Sequence, residues 1–155
     1  MKVAIDSDRT GLQLKREITT YFTWPNLLLP HALRLIDLNS QPSEQYPDIA
    51  FRMAKLVAAG DFERGILICG TGLGMAMTAC KVPGIYAGCC HNVEGAQRLA
   101  VKNNAQIMTM GSDFLSRERG RDMAFAFIFA PFEARPNAQR MREIEQLCTT
   151  PPKSS

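Results

Sequence analysis

The chain has 155 residues, of which 46% are hydrophobic and 21% are charged, and this composition suits one compact domain with a full hydrophobic core. The formal net charge of +3 is too weak for a nucleic-acid-binding surface but fits a small anionic ligand. No apolar run is long enough to cross a bilayer. From the weak net charge and the lack of such a run, we expect neither a nucleic acid nor a membrane as a partner.

Apolar segments alternate with amphipathic segments along most of the chain. In chain order the pattern predicts a strand at 2–6, a helix at 10–22, a strand at 33–38, a helix at 48–59, a strand at 65–69, a helix ending near 80, a strand at 85–90, a helix at 93–102, a strand at 107–110 and helices at 117–129 and 138–148. The polar, proline-containing tail at 149–155 is predicted to be disordered.

The five predicted strands are apolar on both faces, which is typical of a parallel sheet covered by helices. We therefore expect a single domain at 1–148 with a three-layer α/β/α, doubly wound, Rossmann-like fold. Its sheet has five parallel strands, and a last helix closes the domain. Ligands of such folds bind beyond the carboxyl ends of the strands, which points to residues 6–9, 69–74 and 90–92.

The chain has five cysteines, which is an odd number, and three of them fall in predicted strands. This pattern indicates a reducing, cytoplasmic setting rather than a disulfide-stabilised secreted domain.

The most informative segment is GILICGTGLGMA at 65–76, in which a buried strand leads into Cys69 and then into Gly70, Gly72 and Gly74. The order predicts a thiol at the entrance of a loop whose free peptide N–H groups attract an anion. Such a thiol can serve as a base or nucleophile. The alternative is a buried structural cysteine with glycines that permit close packing of strand and helix.

Three familiar glycine-loop chemistries do not fit this segment. The glycines follow a GxGxG rather than a GxGxxG pattern, and no acidic residue stands at the position that binds a nicotinamide dinucleotide. The Gly-Lys-Ser/Thr of a P-loop is absent, and Met75 stands where a cysteine phosphatase needs arginine. We therefore expect no cofactor.

Cys89, Cys90 and His91 stand together at the end of the fourth predicted strand. Consecutive strand residues point to opposite faces, so the three cannot easily share one ion, and no metal site is predicted. His91 is a candidate general acid, or else a strand-end residue bonded to a nearby carbonyl.

Beyond these patterns, the run GILICGTGLGMAMTACKVPGIYAGCCH closely resembles the core of the ribose 5-phosphate isomerase B family, which includes the galactose-6-phosphate isomerase subunits. The segments VAIDSDRTG, QYPDIA and NNAQIMTMG extend the resemblance over most of the chain. It implies the doubly wound fold and a homodimer or homotetramer with the site at the subunit interface.

The resemblance also implies roles for individual residues. Cys69 matches the base that moves a proton between C1 and C2 of an open-chain sugar phosphate. Thr71, with the loop amides of Gly70, Gly72 and Gly74, matches the anion hole for the cis-enediolate. Further positions match substrate-binding or phosphate-binding residues of the family, with one offset by a single residue: Asp8, Tyr46, Arg140 and the offset Arg135.

The chain departs from the family pattern at three positions. Arg9 replaces a histidine, and Lys102, just before Asn103, replaces the histidine that assists ring opening. Asp113 replaces a phosphate-binding arginine. Arg9, Arg135 and Arg140 remain as possible phosphate ligands.

The sequence thus predicts a metal-free aldose–ketose isomerase of a small phosphorylated sugar of the ribose 5-phosphate type, with Cys69, Thr71 and Lys102 as catalytic candidates. The same chemistry on a tetrose 4-phosphate or a hexose 6-phosphate is an alternative. A tetrose 4-phosphate is attractive because it cannot form a furanose ring and needs no ring-opening histidine. A non-catalytic, sugar-phosphate-binding subunit is the other alternative.

Overall fold

The alternating pattern folds into one five-stranded sheet with helices on both faces in a computed structural model, which describes residues 1–23, 33–39, 41, 43–134 and 136–149. The strands are β1 (Lys2–Ser7), β2 (Arg34–Asp37), β3 (Arg64–Cys69), β4 (Ala87–Cys90) and β5 (Ile107–Gly111). The helices are α1 (Leu12–Thr23), α2 (Tyr46–Ala58), α3 (Leu73–Ala79), α4 (Val93–Asn103), α5 (Arg117–Phe129) and α6 (Pro136–Thr149), with a 3₁₀ turn at Ser112–Phe114.

All four strand pairings are parallel, and the strand order is β2-β1-β3-β5-β4. The chain moves outward from β1 to β2, and then returns to place β3 on the other side of β1. This reversal brings the carboxyl ends of β1 and β3 side by side, where open α/β sheets form a crevice. The predicted doubly wound parallel sheet is confirmed.

Side chains of each strand alternate between the two faces of the sheet. Ile5 and Ile68 face the layer formed by α1, α4 and α5, and both are fully buried there. Leu67 and Cys69 face the layer formed by α2 and α3. The catalytic candidate therefore ends a strand whose two faces both lie in hydrophobic core.

Close backbone packing draws the loop after β1 against the end of β3. A Cβ atom on Gly11 would lie 2.4 Å from the carbonyl oxygen of Ile68, so only glycine fits there. The Asp8 N–H donates to the same Ile68 carbonyl at 3.2 Å. Together these contacts hold Asp8 beside the segment that carries Cys69.

Most element boundaries agree with the predictions, but α2 begins at Tyr46 rather than at residue 48. Pro47 lies in the first turn, where backbone N–H groups have no partner within the helix, so the missing N–H of proline is compatible with a helix that begins at Tyr46. Helix α6 extends to Thr149, the first residue of the predicted tail, and residues 150–155 lie outside the described residues. Within the described residues, no helix combines the length and apolar character needed to span a bilayer.

Candidate active site

A cleft of about 260 Å³ opens where the loops after β1 and β3 meet the start of α2. Its lining contains six of the predicted site residues together with Thr10, which the sequence did not single out: Asp8, Thr10, Tyr46, Cys69, Gly70, Thr71 and Gly74. The segments predicted to lie near a ligand after the first and third strands thus do meet at one place.

Cys69 is the last residue of β3, and its side chain is 5% exposed, at the floor of this cleft. The N–H of Gly72 donates to Cys69 Sγ at 3.1 Å. A peptide donor aimed at a sulfur binds most strongly when the sulfur carries negative charge. The geometry therefore suits a thiol that gains and loses a proton while remaining in place.

The loop after Cys69 requires glycine for reasons that the structure makes explicit. Gly72 has φ 80°, in the left-handed region, and a Cβ there would lie 2.7 Å from Cys89 Sγ. Its N–H points to Cys69 Sγ and its carbonyl accepts from Thr109 Oγ1 at 2.7 Å. Gly72 therefore holds the sulfur, whereas the sequence predicted its N–H as a donor to the ligand. Gly74 lies in the first turn of α3, where N–H groups have no acceptor within the helix.

Thr71 offers a hydroxyl at the cleft surface. Its Oγ1 accepts from the Leu73 N–H at 3.3 Å. The hydroxyl proton is not used in that bond, so Thr71 can donate to an anionic oxygen in the cleft.

Asp8 is held by its own neighbours. Its Oδ1 accepts from the Thr10 N–H at 2.9 Å, from Thr10 Oγ1 at 2.5 Å and from the Gly11 N–H at 3.1 Å. These bonds fix the carboxylate at the start of α1 and leave Oδ2 outside this turn. A substrate hydroxyl can donate to that second oxygen.

Tyr46 forms the opposite wall of the cleft. A Cβ on Gly74 would lie 2.5 Å from Tyr46 Cε2, so the tyrosine ring packs directly on the glycine loop. The ring remains 42% exposed, and its hydroxyl lies 2.9 Å from the same Cβ position. The cleft therefore has one apolar wall with a single hydroxyl.

Sequence reasoning missed a buried ionic network at the carboxyl end of β1. Lys15 is 2% exposed, and its Nζ lies 3.3 Å from Asp6 Oδ1 and 2.8 Å from Asp37 Oδ1. Arg52 Nη2 lies 3.7 Å from Asp6 Oδ2, and its Nη1 lies 2.5 Å from Glu44 Oε2. This network ties α1, β2 and α2 to β1, and Glu44 precedes Tyr46 by two residues. A lone lysine in an amphipathic helix gives no sequence signal of such a role.

Other predicted site residues lie away from the cleft within one chain. His91 Nε2 lies 3.8 Å from Cys89 Sγ, and its ring packs edge-on against Phe114. Lys102 lines a separate cleft beside Glu94 and Arg98. Lys102 lies on α4, which packs on the face of the sheet opposite to Cys69. His91 does not line the cleft, although Cys89 Sγ lies 3.5 Å from the Thr71 carbonyl oxygen.

The predicted phosphate ligands are also outside the cleft lining. Arg9 is exposed and does not line it, and Asn103 is half-buried at the end of α4. Arg140 lies on the exposed face of α6 and pairs with Glu143 at 2.9 Å. Arg135 lies outside the described residues. No lysine or arginine of the described residues lines the cleft beside Cys69.

The other strand-end thiols differ from Cys69 in their surroundings. Burial raises the pKa of Cys90 to about 11, and burial also raises the pKa of Cys89. Neither thiol lines the cleft. Across the described residues there is no cluster of three or more histidine, cysteine, aspartate or glutamate side chains placed to hold a metal ion.

Comparison with known proteins finds one matching family model and several sequence relatives. A family model described as Ribose/Galactose Isomerase matches residues 3–144. The D-erythrulose-4-phosphate isomerase of Pectobacterium atrosepticum is 35% identical over 147 residues, which cover 93% of each chain. The ribose-5-P isomerase B of Listeria innocua is 42% identical over 114 residues, covering 72% of this chain and 73% of that one.

Comparison with solved structures finds the same fold in a related protein. The structure of Clostridium thermocellum ribose-5-phosphate isomerase B superposes with a TM-score of 0.85 at 32% identity. The superposition covers 96% of this chain and all of the other.

Proposed function

The chain belongs to the ribose/galactose isomerase family, and on that premise we propose that it is an aldose–ketose isomerase of a small sugar phosphate with Cys69 as its base. The observation that carries the proposal is the position of Cys69 Sγ. It lies at the floor of a cleft, with a peptide donor at 3.1 Å and the hydroxyl of Thr71 in the same lining.

The reaction moves one proton between neighbouring carbons. The Cys69 thiolate takes the proton from the carbon next to the carbonyl, and the electron pair of that C–H bond moves to give a cis-enediolate. The Thr71 hydroxyl and the first-turn amide of Gly74 donate to the negative oxygen. The thiol then returns the proton to the former carbonyl carbon. The hydroxyl proton passes from the neighbouring oxygen to the former carbonyl oxygen within the cis-enediolate, so that aldose and ketose interconvert with no net change in atoms.

Asp8 and Tyr46 hold the carbon chain in this scheme. Asp8 Oδ1 is saturated by bonds to its own turn, so Oδ2 is the acceptor offered to a substrate hydroxyl. The Tyr46 ring covers the glycine loop and limits access of water to the reacting carbons. Neither residue needs to exchange a proton with the substrate.

The cleft favours a substrate that is already open-chain. A pentose 5-phosphate closes to a furanose, and opening it needs an acid or base near the ring oxygen. No histidine lines the cleft among the described residues, and His91 lies beside Cys89 instead. A tetrose 4-phosphate has its terminal oxygen esterified and cannot form that ring. We therefore take a tetrose 4-phosphate as the preferred substrate, ahead of ribose 5-phosphate and of a hexose 6-phosphate.

The charge of the cleft supports our proposal that a second copy completes the site. A phosphate dianion needs charge-assisted donors, yet the described lining offers no cation and contains Asp8. Lys102, Asn103 and Arg140 lie elsewhere on the same chain, and we propose that they reach the cleft from a partner. Arg9 and Arg135 are the other cations assigned to the phosphate.

An apolar surface is available for that contact. Phe51 is 51% exposed and Met77 is 70% exposed, on the helices α2 and α3 that flank the cleft. Side chains of this size are favoured at interfaces between subunits. We accordingly propose a homo-oligomer of at least two chains, located in the cytoplasm, where its five free cysteines remain reduced.

Replacing Cys69 by alanine tests the assignment of the base. We expect kcat/KM for the isomerisation to fall by about 10²- to 10⁴-fold, because the variant lacks the group proposed to take the proton. The fold should be retained, as judged by circular dichroism and thermal unfolding. Cys148→Ala, at an exposed thiol on α6, is the matched control and should keep full activity. Unchanged turnover in the Cys69 variant would refute the proposal.

A substrate panel tests the assignment of the carbon chain. We expect the purified chain to show its highest kcat/KM with D-erythrose or D-erythrulose 4-phosphate, because these substrates need no ring opening. The kcat/KM values for ribose 5-phosphate and galactose 6-phosphate should be lower. A clear preference for ribose 5-phosphate would contradict the tetrose assignment. Binding of these sugars without any turnover would instead indicate a non-catalytic subunit.

Mixing two inactive variants tests whether the site spans two chains. We expect Cys69→Ala and Lys102→Met each to be inactive as pure proteins. After unfolding and refolding together in equal amounts, mixed dimers contain one intact site of two, so about a quarter of the wild-type activity should return. Refolding each variant alone is the control. No recovery in the mixture would place both residues in one chain's site, and full activity of pure Lys102→Met would leave Lys102 without a role.

A further inference from the structure

The two walls of the candidate cleft are each preceded by a carboxylate, and one guanidinium reaches both. Asp6 stands two residues before Asp8, on β1. Glu44 stands two residues before Tyr46, the first residue of α2. Arg52 lies on the second turn of α2, with Nη1 2.5 Å from Glu44 Oε2 and Nη2 3.7 Å from Asp6 Oδ2. The planar fork of an arginine suits such a bridge between two carboxylates.

Glu44 fixes the segment that leads into α2. Its Oε1 accepts from the Gln41 N–H at 2.6 Å, and its own N–H donates to the Gln41 carbonyl at 2.9 Å. The second carboxylate oxygen of Glu44 is the one that meets Arg52. The N-cap residue Gln45 makes no side-chain capping bond. The start of α2, and with it Tyr46, is therefore held by the Glu44 turn rather than by a helix cap.

The other end of the bridge is anchored in the core. Asp6 is fully buried, and its Oδ1 accepts from the Ser7 N–H at 2.8 Å and lies 3.3 Å from Lys15 Nζ. The Asp6 carboxylate is thus a fixed point to which Arg52 can attach the start of α2. The hydrogen bond from Arg52 lowers the pKa of Glu44, so the bridge remains charged at neutral pH.

From this bridge we propose that Arg52 is a positioning residue that holds Tyr46 over the glycine loop and thereby limits access to Cys69. A Cβ on Gly74 would lie 2.5 Å from Tyr46 Cε2, so a small shift of the first residue of α2 changes the cover over the loop. The proposal rests on the proposed function, since it takes this cover as part of the isomerase site. Arg52 does not line the cleft and takes no part in the proton transfer.

The exposure of the network members shows which of them can be replaced with the fold intact. Replacing the buried Asp6 or Lys15 would leave an unpaired charge in the core and destabilise the protein. The side chain of Arg52 is 41% exposed, and without it Asp6 keeps its contact with Lys15. Ion pairs at the surface contribute little to stability. Loss of Arg52 should therefore alter the cleft much more than the unfolding temperature.

Alkylation of Cys69 by iodoacetamide, followed by peptide mass spectrometry, measures the opening of the cleft without requiring turnover. Arg52→Met removes the bridge, and Arg52→Lys keeps the charge but lacks the planar fork. Arg16→Met removes an exposed arginine of α1 and is the matched control. Cys90 is buried in the core on the other face of the sheet and is the internal control, because its alkylation reports unfolding.

We expect both Arg52 variants to be alkylated at Cys69 about two- to fivefold faster than the wild type, with no change at Cys90 or in Arg16→Met. Tyr46→Ala should also speed the reaction. Adding Arg52→Met to Tyr46→Ala should give no further change, since the ring that Arg52 positions is then gone. A wild-type rate in Arg52→Met, a further rise in the double variant or an equal rise at Cys90 would overturn the proposal.

Isomerase activity of the same proteins separates this proposal from the proposed function. In an active enzyme, Arg52→Met should lower kcat/KM about two- to fivefold when Tyr46 is present and should have no effect in the Tyr46→Ala background. A wild type without isomerase activity would defeat the proposed function, and the alkylation of Cys69 would still decide whether Arg52 positions Tyr46.

Discussion

The site depends on how closely the backbone packs around the carboxyl end of β3. Gly11, Gly72 and Gly111 each stand where a Cβ would overlap another atom, at 2.4, 2.7 and 2.6 Å respectively. Two of those three contacts are with carbonyl oxygens of the main chain, which cannot move aside as a side-chain tip can. The loops after β1, β3 and β5 are therefore held against one another, and Cys69 lies where they meet.

Within this close packing, the polar groups around Cys69 make separate and specific contacts. Gly72 directs its N–H to the sulfur, while Asp8 uses one carboxylate oxygen to hold its own turn. The buried ionic network around Lys15 joins the carboxyl end of β1 to α1, β2 and α2, and so supports the segment that leads to Tyr46. A buried charged network of this kind is costly to break, because removing one member leaves an unpaired charge in the core. The cleft is thus preorganised before substrate arrives.

Much of the fold could be predicted from the sequence. Segments with the apolar periodicity of strands alternate with segments that have the periodicity of helices, and this alternation is typical of a doubly wound parallel sheet. The residues that follow β1 and β3 could be placed near a ligand because ligands of such folds bind beyond the carboxyl ends of the strands. The strand order could not, since nothing local in the chain places β5 between β3 and β4. Lys102 is outside the cleft of its own chain because α4 packs on the sheet face opposite to Cys69. The orientation of Asp113 over Gly70 also depends on tertiary contacts that no motif encodes.

One chain provides the base and the anion-stabilising donors, and the proposed second chain provides the positive charge. The central claim is that Cys69 moves a proton through an enediolate. The most direct test is isomerisation of a tetrose 4-phosphate in deuterium oxide, with the products examined by NMR. The thiol exchanges its proton with solvent while the enediolate is bound, so deuterium should accumulate at the carbons that change oxidation state. Products that remain free of deuterium after many turnovers would indicate direct hydride transfer and contradict the account.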